Sequence, residues 1–248
     1  METPERARPE TRSEAETRPP EPPWWRTGRP AAARTPLTRE GILAAALRVL
    51  DRDGLDGVSM RAVAEELGTG AASLYWHVRN KEALLELVVD RVLGEIELPL
   101  PEPARWQEQL KEVARTTRRV FRRHRDIARF TLGRVPLGPS LVRIAEWQLA
   151  LLRAAGVPDR ACAYAGDLFG LYVGAYGTEE SMGLQSPTGE ALSPETVTGM
   201  ARDYFRSLPS DRFPNVVALA DEMMRSDPDE RFEFGLDVLV RGLAAQIE

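Results

Sequence analysis

The chain has 248 residues, 43% of them hydrophobic, and a formal net charge of −5 at pH 7, which allows one large domain or a small and a larger one. Its single cysteine, Cys162, excludes a disulfide framework and a cysteine-rich metal cluster and points to a reducing cytoplasm. No apolar run approaches the roughly 18 residues that span a membrane, and the N-terminus lacks the apolar core of a signal peptide.

Residues 1–36 are predicted to form a disordered N-terminal extension. They contain eight of the nineteen prolines, and arginine alternates with glutamate. Such a segment cannot bury enough apolar surface to offset the entropy lost on ordering. A solubilising tail is the favoured interpretation. The alternative is that the part around Trp24 and Trp25 is an arm that enters a DNA minor groove.

Residues 37–98 are predicted to be a small helical domain with a connecting helix. The first helix should run from Arg39 to about Arg52, with Thr38 as N-cap and Gly54 as the C-terminal stop. Its apolar face consists of Ile42, Leu43, Ala46, Leu47 and Leu50. Asn80 is predicted to cap the connecting helix, which runs from Lys81 to about Leu98.

Residues 58–82 have the layout of a helix-turn-helix. Ser59 can cap the first helix, and its apolar residues recur at i, i+3, i+4 and i+7, which gives one buried stripe. That stripe consists of Met60, Val63, Ala64 and Leu67. The turn at 68–70 contains two glycines and lets the second helix cross the first steeply, as a helix lying in a DNA major groove does.

Residues 104–248 are predicted to remain helical. The expected helices cover 105–123, 125–132, 138–155, 158–182, 195–208, 215–225 and 229–247, with a loop at 184–193. No segment alternates with a two-residue period for long enough to be a strand. The predicted fold is therefore all-α.

The motif Ser59-Met60-Arg61, followed by LYWHVRNK at 74–81, resembles the DNA-binding domain of TetR-type transcriptional repressors. ARFTLGRVP at 128–136 and RFEFGLDVLVRGL at 231–243 are similar to the tetracycline-repressor-like C-terminal subgroup. The resemblance implies an N-terminal three-helix helix-turn-helix domain within 37–98. A larger helical ligand-binding and dimerisation domain, 104–248, would follow it.

The resemblance also implies roles for residues of the motif. Arg61 would reach a base edge, plausibly guanine, and Ala71 and Ala72 would face bases at the start of the recognition helix. Trp76 has a second interpretation, which is ordinary core packing. Most of the remaining residues would hold phosphates. The predicted DNA-binding residues are Ser59, Arg61, Ala71, Ala72, Ser73, Tyr75, Trp76, His77 and Lys81.

Small residues recur in two later helices. Gly166, Gly170 and Gly174 follow one another at four-residue spacing, and glycine inside a helix costs about 1 kcal/mol relative to alanine. Close approach of another backbone would compensate. In the family, the corresponding helices form a four-helix dimer interface, here Gly166, Gly170, Gly174, Gly235, Leu236, Leu239, Gly242 and Leu243. The alternative is that the glycines admit a helix of the same subunit.

The aromatic side chains of this half are predicted to line an apolar cavity for a small molecule. The alternative is a filled core. Tetracycline-binding members hold a magnesium complex partly through a histidine whose position here is Thr131, so no metal and no cofactor are expected. The predicted ligand-binding residues are Phe121, Phe130, Thr131, Trp147, Tyr164, Leu168, Tyr172 and Tyr176. The arginines between 115 and 125 are predicted to be a solvated helix face, with binding to phosphate or an acidic ligand as the alternative.

The sequence thus predicts a cytoplasmic, homodimeric, ligand-responsive repressor. Its partners would be double-stranded operator DNA and an apolar or aromatic effector. One alternative is a DNA-binding regulator without a ligand. The other, a small helical enzyme, has little support, because the chain has no nucleotide loop, no G-x-S-x-G elbow and only two separated histidines.

Overall fold

The computed structural model describes residues 37–133, 137–182, 192–225 and 227–247. Within these ranges it contains helices and no strand, so the predicted all-α fold is confirmed. The helices are α1 (Arg39–Gly57), α2 (Met60–Glu66), α3 (Ala71–Leu74), α4 (Lys81–Leu93), α5 (Trp106–Arg123), α6 (Ile127–Thr131), α7 (Pro139–Ala154), α8 (Asp159–Met182), α9 (Pro194–Ser207), α10 (Pro214–Met223) and α11 (Pro228–Ala244). The predicted N-terminal extension and most of the predicted 184–193 loop lie outside the described residues.

Helix α1 begins where its cap predicts and is interrupted at the predicted stop. The Thr38 hydroxyl accepts a hydrogen bond from the amide of Gly41 at 3.1 Å. Gly54 adopts φ 75° and ψ 180°, a backbone conformation that glycine reaches without a Cβ penalty. One more helical turn follows and ends at Gly57. The Gly54 break gives α1 a bent end, which contacts the α5–α6 corner.

The helix-turn-helix is built as its sequence predicts. Ser59 accepts a hydrogen bond from the amide of Ala62 at 3.1 Å, so it is the N-cap of α2. Gly68 takes the left-handed conformation, with φ 63°, and turns the chain into the short helix α3. Leu74 and Val78 are buried beneath α3 and the turn after it. This packing leaves the other side of α3 to solvent.

Helix α4 ends at Leu93, earlier than the predicted Leu98. Side chains of α7 donate hydrogen bonds to backbone carbonyls of the residues that follow Leu93. Arg143 of α7 donates to the carbonyl of Ile96 at 2.9 Å. The Trp147 indole nitrogen donates to the carbonyl of Pro99 at 2.6 Å. In return, Asp90 of α4 accepts the amide of Ser140 in the first turn of α7 at 2.8 Å. Helices α4 and α7 therefore cap one another.

Helices α5, α6, α7, α8 and α11 surround the larger part of the core, while α9 and α10 pack on each other. Helix α8 approaches α5 and α6 closely at Gly177, where a Cβ would lie 2.8 Å from the Cβ of Ala128 in α6 and 3.2 Å from the ring of Phe121 in α5. Residues 37–248 form one compact unit. The predicted division into 37–98 and 104–248 stays a prediction.

Candidate functional site

The predicted DNA-binding residues form one mostly exposed surface around α2, α3 and the following turn. Trp76 is 90% exposed and Tyr75 56%, and His77 and Ala72 are also exposed. Ala71 and Ser73 are half-buried, because they face the turn into α3. A large aromatic side chain gains nothing from such exposure in the isolated chain. The core-packing interpretation of Trp76 is therefore wrong.

Arg61 projects from the first turn of α2 into solvent. Its side chain is 87% exposed, and its Nε donates to Oε1 of Glu65, one turn further along the helix, at 2.8 Å. This hydrogen bond and the charge of Glu65 raise the pKa of Arg61 above its ordinary value. Arg61 therefore presents a fixed cation on the surface that contains Trp76.

Three of the predicted phosphate donors also have partners inside the protein. The Ser59 hydroxyl accepts the amide of Ala62, and Ser73 shares a 3.4 Å contact with the hydroxyl of Thr69. The Lys81 ammonium lies 3.4 Å from the carbonyl of Leu55, at the end of α1. All three keep donor capacity, because a hydroxyl rotates and an ammonium has three hydrogens.

The corner between α5 and α6 is hydrogen-bonded to the bent end of α1. Asp126 occupies the left-handed region, with φ 58° and ψ 3°, and its Oδ2 accepts the amide of Leu55 at 3.1 Å. Arg125 donates to the carbonyl of Arg52 at 3.1 Å. A Cβ on Gly54 would meet the Asp126 carboxylate at 2.6 Å, so this contact also requires the glycine. The corner thus replaces hydrogen bonds that the break at Gly54 removes from α1.

His124 adds a second connection at the same corner. One ring nitrogen lies 3.2 Å from a carboxylate oxygen of Asp51 in α1, and the other lies 3.3 Å from Glu95, just after α4. Arg129 of α6 pairs with Asp56 at 3.3 Å. The helix-turn-helix and the helices that follow it are therefore joined by several polar contacts at one place.

The predicted lining residues do not enclose one cavity. Tyr164 and Leu168 are 57% and 45% exposed, so they point outward from α8 and do not line the interior. Trp147 is buried with its indole hydrogen bond to Pro99. Thr131 is half-buried and donates to the carbonyl of Ala128 at 2.7 Å. The amphipathic pattern of α8 could not distinguish its inner side from its outer side.

Four of the predicted aromatic residues lie wholly or partly inside. Phe121 and Phe130 are buried, and Tyr172 and Tyr176 are half-buried against Phe232 of α11, with ring centroids 5.4 and 5.2 Å from that ring. Burial raises the pKa of Tyr172, and its hydroxyl donates to the carbonyl of Phe232 at 2.9 Å. The filled-core alternative therefore describes this cluster better than an open cavity does.

One arginine of the predicted solvated run is buried. Only 7% of the Arg118 side chain is exposed, and its guanidinium carbon lies 4.4 Å from the centroid of Phe232. Burial has the largest single effect and lowers the pKa of Arg118, but the hydrogen bonds and charges of Glu180 and Asp229 together outweigh it, so the pKa is raised. Asp229 adds a 2.9 Å ion pair. The prediction of a solvated face is wrong at this position, because Arg118 faces α8 and α11.

Gln148 is a polar residue that the sequence analysis missed. It is 8% exposed on the packing side of α7, next to the fully buried Leu151 and Leu152, and its Nε2 has no hydrogen-bond partner in the described part of the chain. A buried amide without a partner costs about 1–3 kcal/mol.

Two shallow clefts lie elsewhere. One, of about 450 Å³, lies between the start of α5 and α11 and includes Trp106 and Arg241, and the other, of about 250 Å³, includes Leu98 and Val113.

The predicted dimer residues divide into outward and inward groups. Gly166, Gly170 and Gly242 have open space where a Cβ would be. By contrast, a Cβ on Gly174 would lie 3.2 Å from Leu132, and one on Gly235 would collide with the Tyr172 hydroxyl.

Leu236 is fully buried, Leu243 is 6% exposed, and Leu239 is half-buried. The same-subunit alternative therefore holds for Gly174, Gly235, Leu236 and Leu243. Six large apolar side chains of α8 and α11 are exposed: Tyr164, Leu168, Leu171, Met182, Phe234 and Val238.

No cluster of histidine, cysteine, aspartate and glutamate with metal-binding geometry occurs among the described residues. Across the same ranges, no helix has the length and apolar character needed to cross a membrane.

Two family models together match most of the chain. Residues 98–247 match the model described as tetracyclin repressor-like, C-terminal domain. Residues 42–88 match the model described as bacterial regulatory proteins, tetR family.

Relatives and solved structures agree with these matches. The HTH-type transcriptional repressor DrrR1 of Streptomyces coeruleorubidus is 34% identical over 88% of this chain and 82% of its own length. Tetracycline repressor protein class D of Escherichia coli is 32% identical over 85% of this chain and 91% of its own. The Streptomyces coelicolor TetR family protein ActR, solved in complex with actinorhodin, is 46% identical over 86% of this chain and 97% of its own, with a TM-score of 0.78.

Proposed function

Because the chain belongs to the TetR family of bacterial transcriptional regulators, we propose that it is a homodimeric repressor that a small molecule releases from operator DNA. The observation that carries this proposal is the exposed surface on α2, α3 and the following turn. The side chains there include a guanidinium, hydroxyls, an imidazole and an exposed indole. Contacts within the described part of the chain do not account for all of them.

The DNA-binding surface supports distinct roles for its members. Arg61 is the base reader, because its exposed fork can donate two hydrogen bonds to one guanine. Ser59, Ser73, Tyr75, His77 and Lys81 are phosphate contacts that set position. Ala71, Ala72 and Trp76 supply apolar contact to base edges and sugars. These assignments predict that Arg61→Ala weakens specific binding more than non-specific binding.

The effector site is proposed in the core around Gln148. Its unpartnered amide nitrogen, surrounded by Leu151 and Leu152, would give one directional hydrogen bond to a molecule that is otherwise apolar or aromatic. Phe121 of α5, which packs on α7, would border the same volume once it opens, together with Phe130 and Thr131 of α6. The relative ActR binds actinorhodin, which supports a small-molecule effector here. Tyr172 and Tyr176 would limit the site at α11.

The dimer surface is proposed on the outward sides of α8 and α11. Leu171 is 50% exposed and Phe234 72%, and Gly166, Gly170 and Gly242 allow a second backbone to approach closely. Large exposed apolar side chains that cluster on one region of a protein commonly mark a partner surface, which supports this placement. A two-fold axis there would allow the two α3 helices of the dimer to engage half-sites that lie one DNA turn apart.

Release requires that the effector binds the DNA-incompetent arrangement more tightly than the competent one. The contacts of Asp126 and His124 with α1 are the proposed link, since they join the core to the helix beneath the DNA-binding surface. Coupling of this kind typically changes affinity about 5- to 150-fold.

The experiment is an electrophoretic mobility assay with the chain's own upstream DNA. Salt-dependent binding by the wild type, weakened by Arg61→Ala, supports the DNA-binding role. Release by a compound from a screen of apolar and aromatic metabolites supports the effector role. Sedimentation velocity on Phe234→Glu tests the dimer, with Tyr204→Glu of α9, an aromatic residue that is 62% exposed, as the matched control.

Failure of the wild type to bind at low salt would overturn the proposal. Binding that no compound releases would favour a regulator without a ligand.

A further inference from the structure

The ion pair of Arg61 and Glu65 uses the guanidinium in a particular way. Glu65 accepts from Nε at 2.8 Å, and within the described residues neither terminal nitrogen of Arg61 has a hydrogen-bond partner. Both side chains are largely exposed, so the pair contributes little to stability. Its geometry therefore points to a role outside the folded chain.

The contacts of the next residue, Glu66, differ from those of Glu65. Glu66 accepts from Nε of Arg48 at 2.7 Å and from a terminal nitrogen of Arg52 at 3.0 Å, and only 22% of its side chain is exposed. It joins α2 to α1 and has a structural role. Glu65 faces the other way, is 64% exposed and contacts Arg61 alone among these arginines.

We propose that Glu65 is a positioning residue for base recognition, because it holds Arg61 through Nε and leaves the two terminal nitrogens to read one guanine. The inference rests on the proposed role of Arg61 as base reader. A guanidinium is planar and rigid, so fixing Nε fixes the direction of the other donors. The pair of donors then matches O6 and N7 of guanine in the major groove.

The charge of Glu65 has a second consequence. A carboxylate on the docking surface repels phosphates wherever the protein lands, whereas its hydrogen bond helps only where a guanine meets Arg61. Glu65 is thus expected to lower the affinity for non-specific DNA and to raise the ratio of specific to non-specific affinity. A surface ion pair without function would change neither quantity in this way.

Two substitutions separate the hydrogen bond from the charge. Glu65→Gln keeps an acceptor for Nε and removes the charge, while Glu65→Ala removes both. Asp211→Asn, in the exposed turn between α9 and α10, is the control for net charge. Each variant is made in the full-length chain, and its affinity is measured by fluorescence anisotropy at one salt concentration.

The probes are a duplex selected by the wild type from a random pool and a scrambled duplex of the same composition. The specificity ratio is the quotient of the two affinities. We expect Glu65→Ala to bind the scrambled duplex more tightly and to lose about 5-fold or more in the ratio, the lower bound for one bidentate contact. Glu65→Gln should share the first effect and keep most of the ratio.

The decisive comparison uses Arg61→Ala and the double variant Arg61→Ala/Glu65→Ala. If Glu65 acts through Arg61, then Glu65→Ala changes the ratio in the wild type and leaves it unchanged once Arg61 is absent. An unchanged ratio for Glu65→Ala in the wild type would overturn the inference. If Arg61→Ala itself left the ratio unchanged, the proposed base-reading role would fail instead.

Discussion

Replacing Asp126 tests whether the α5–α6 corner holds the end of α1. The carboxylate accepts the amide of Leu55 at 3.1 Å, only 15% of the side chain is exposed, and φ is 58°. Alanine removes the acceptor and tolerates the left-handed conformation less well than aspartate, whose side chain can hydrogen-bond locally. Glycine removes the acceptor alone, and asparagine keeps both an acceptor and tolerance of this conformation.

The expected losses differ among the three variants. A hydrogen bond to a charged group contributes about 1.5–3 kcal/mol, and the left-handed conformation costs an ordinary residue about 1–2 kcal/mol. Asp126→Ala should therefore lower the free energy of unfolding by about 2–4 kcal/mol, because aspartate already bears part of the left-handed cost. Asp126→Gly should lose about 1 kcal/mol less, and Asp126→Asn should lose less than about 1 kcal/mol.

The assay is urea unfolding followed by circular dichroism at one fixed protein concentration, since the stability of the proposed dimer would depend on concentration. Operator affinity is measured on the same samples. Because α1 lies under the DNA-binding surface, Asp126→Ala should also weaken operator binding. An unfolding free energy within about 0.5 kcal/mol of wild type for Asp126→Ala would refute the reasoning. So would equal losses for the alanine and glycine variants.

Three further predictions concern polar residues of α5 and α7. Arg118→Met should cost up to about 3 kcal/mol in urea unfolding, the low end for a buried pair, because it leaves the half-buried Glu180 with only the more distant Arg122 at 3.9 Å, and adding Glu180→Leu should recover most of the loss; no recovery would contradict the ion-pair explanation. Gln148→Leu should stabilise the free protein by about 1–3 kcal/mol and weaken binding of a releasing compound in calorimetry, whereas a destabilised variant would contradict the unpartnered amide. The hydrogen bond from Arg115 lowers the pKa of Glu233, so the stability from this pair is present above the ordinary glutamate pKa and lost as pH falls through the lowered value. Melting temperatures between pH 3 and 7 should therefore fall less steeply for Arg115→Met than for wild type, and equal slopes would contradict this.

Local chemistry made the helices and the DNA-binding motif predictable. Thr38, Ser59 and Asn80 are caps in the structure as in the sequence, because a cap depends on a hydroxyl or amide and the next three amides. Gly54 was predicted as a stop and adopts the left-handed φ that glycine favours. The exposed positions of Tyr75 and His77 follow from the short α3, since Leu74 and Val78 occupy its buried side.

The side-chain environments in the second half of the chain were less predictable. A periodic pattern shows which residues share a face of a helix, but it does not show which other helix that face contacts. The glycines of α8 share one spacing, yet Gly170 faces open space and Gly174 faces Leu132. Arg118 belongs to a run of arginines and is buried, since Glu180 and Asp229 come from distant helices to neutralise it.

The sequence by itself determined the all-helical fold, most helix ends and the DNA-binding motif. Each of these depends on residues within one or two helical turns, where backbone hydrogen bonds, caps and side-chain period act. Only the tertiary structure decided that Tyr164 points outward and that Gln148 is buried without a partner. Both outcomes depend on which surfaces meet across the core, and many arrangements of equally amphipathic helices satisfy the same local pattern.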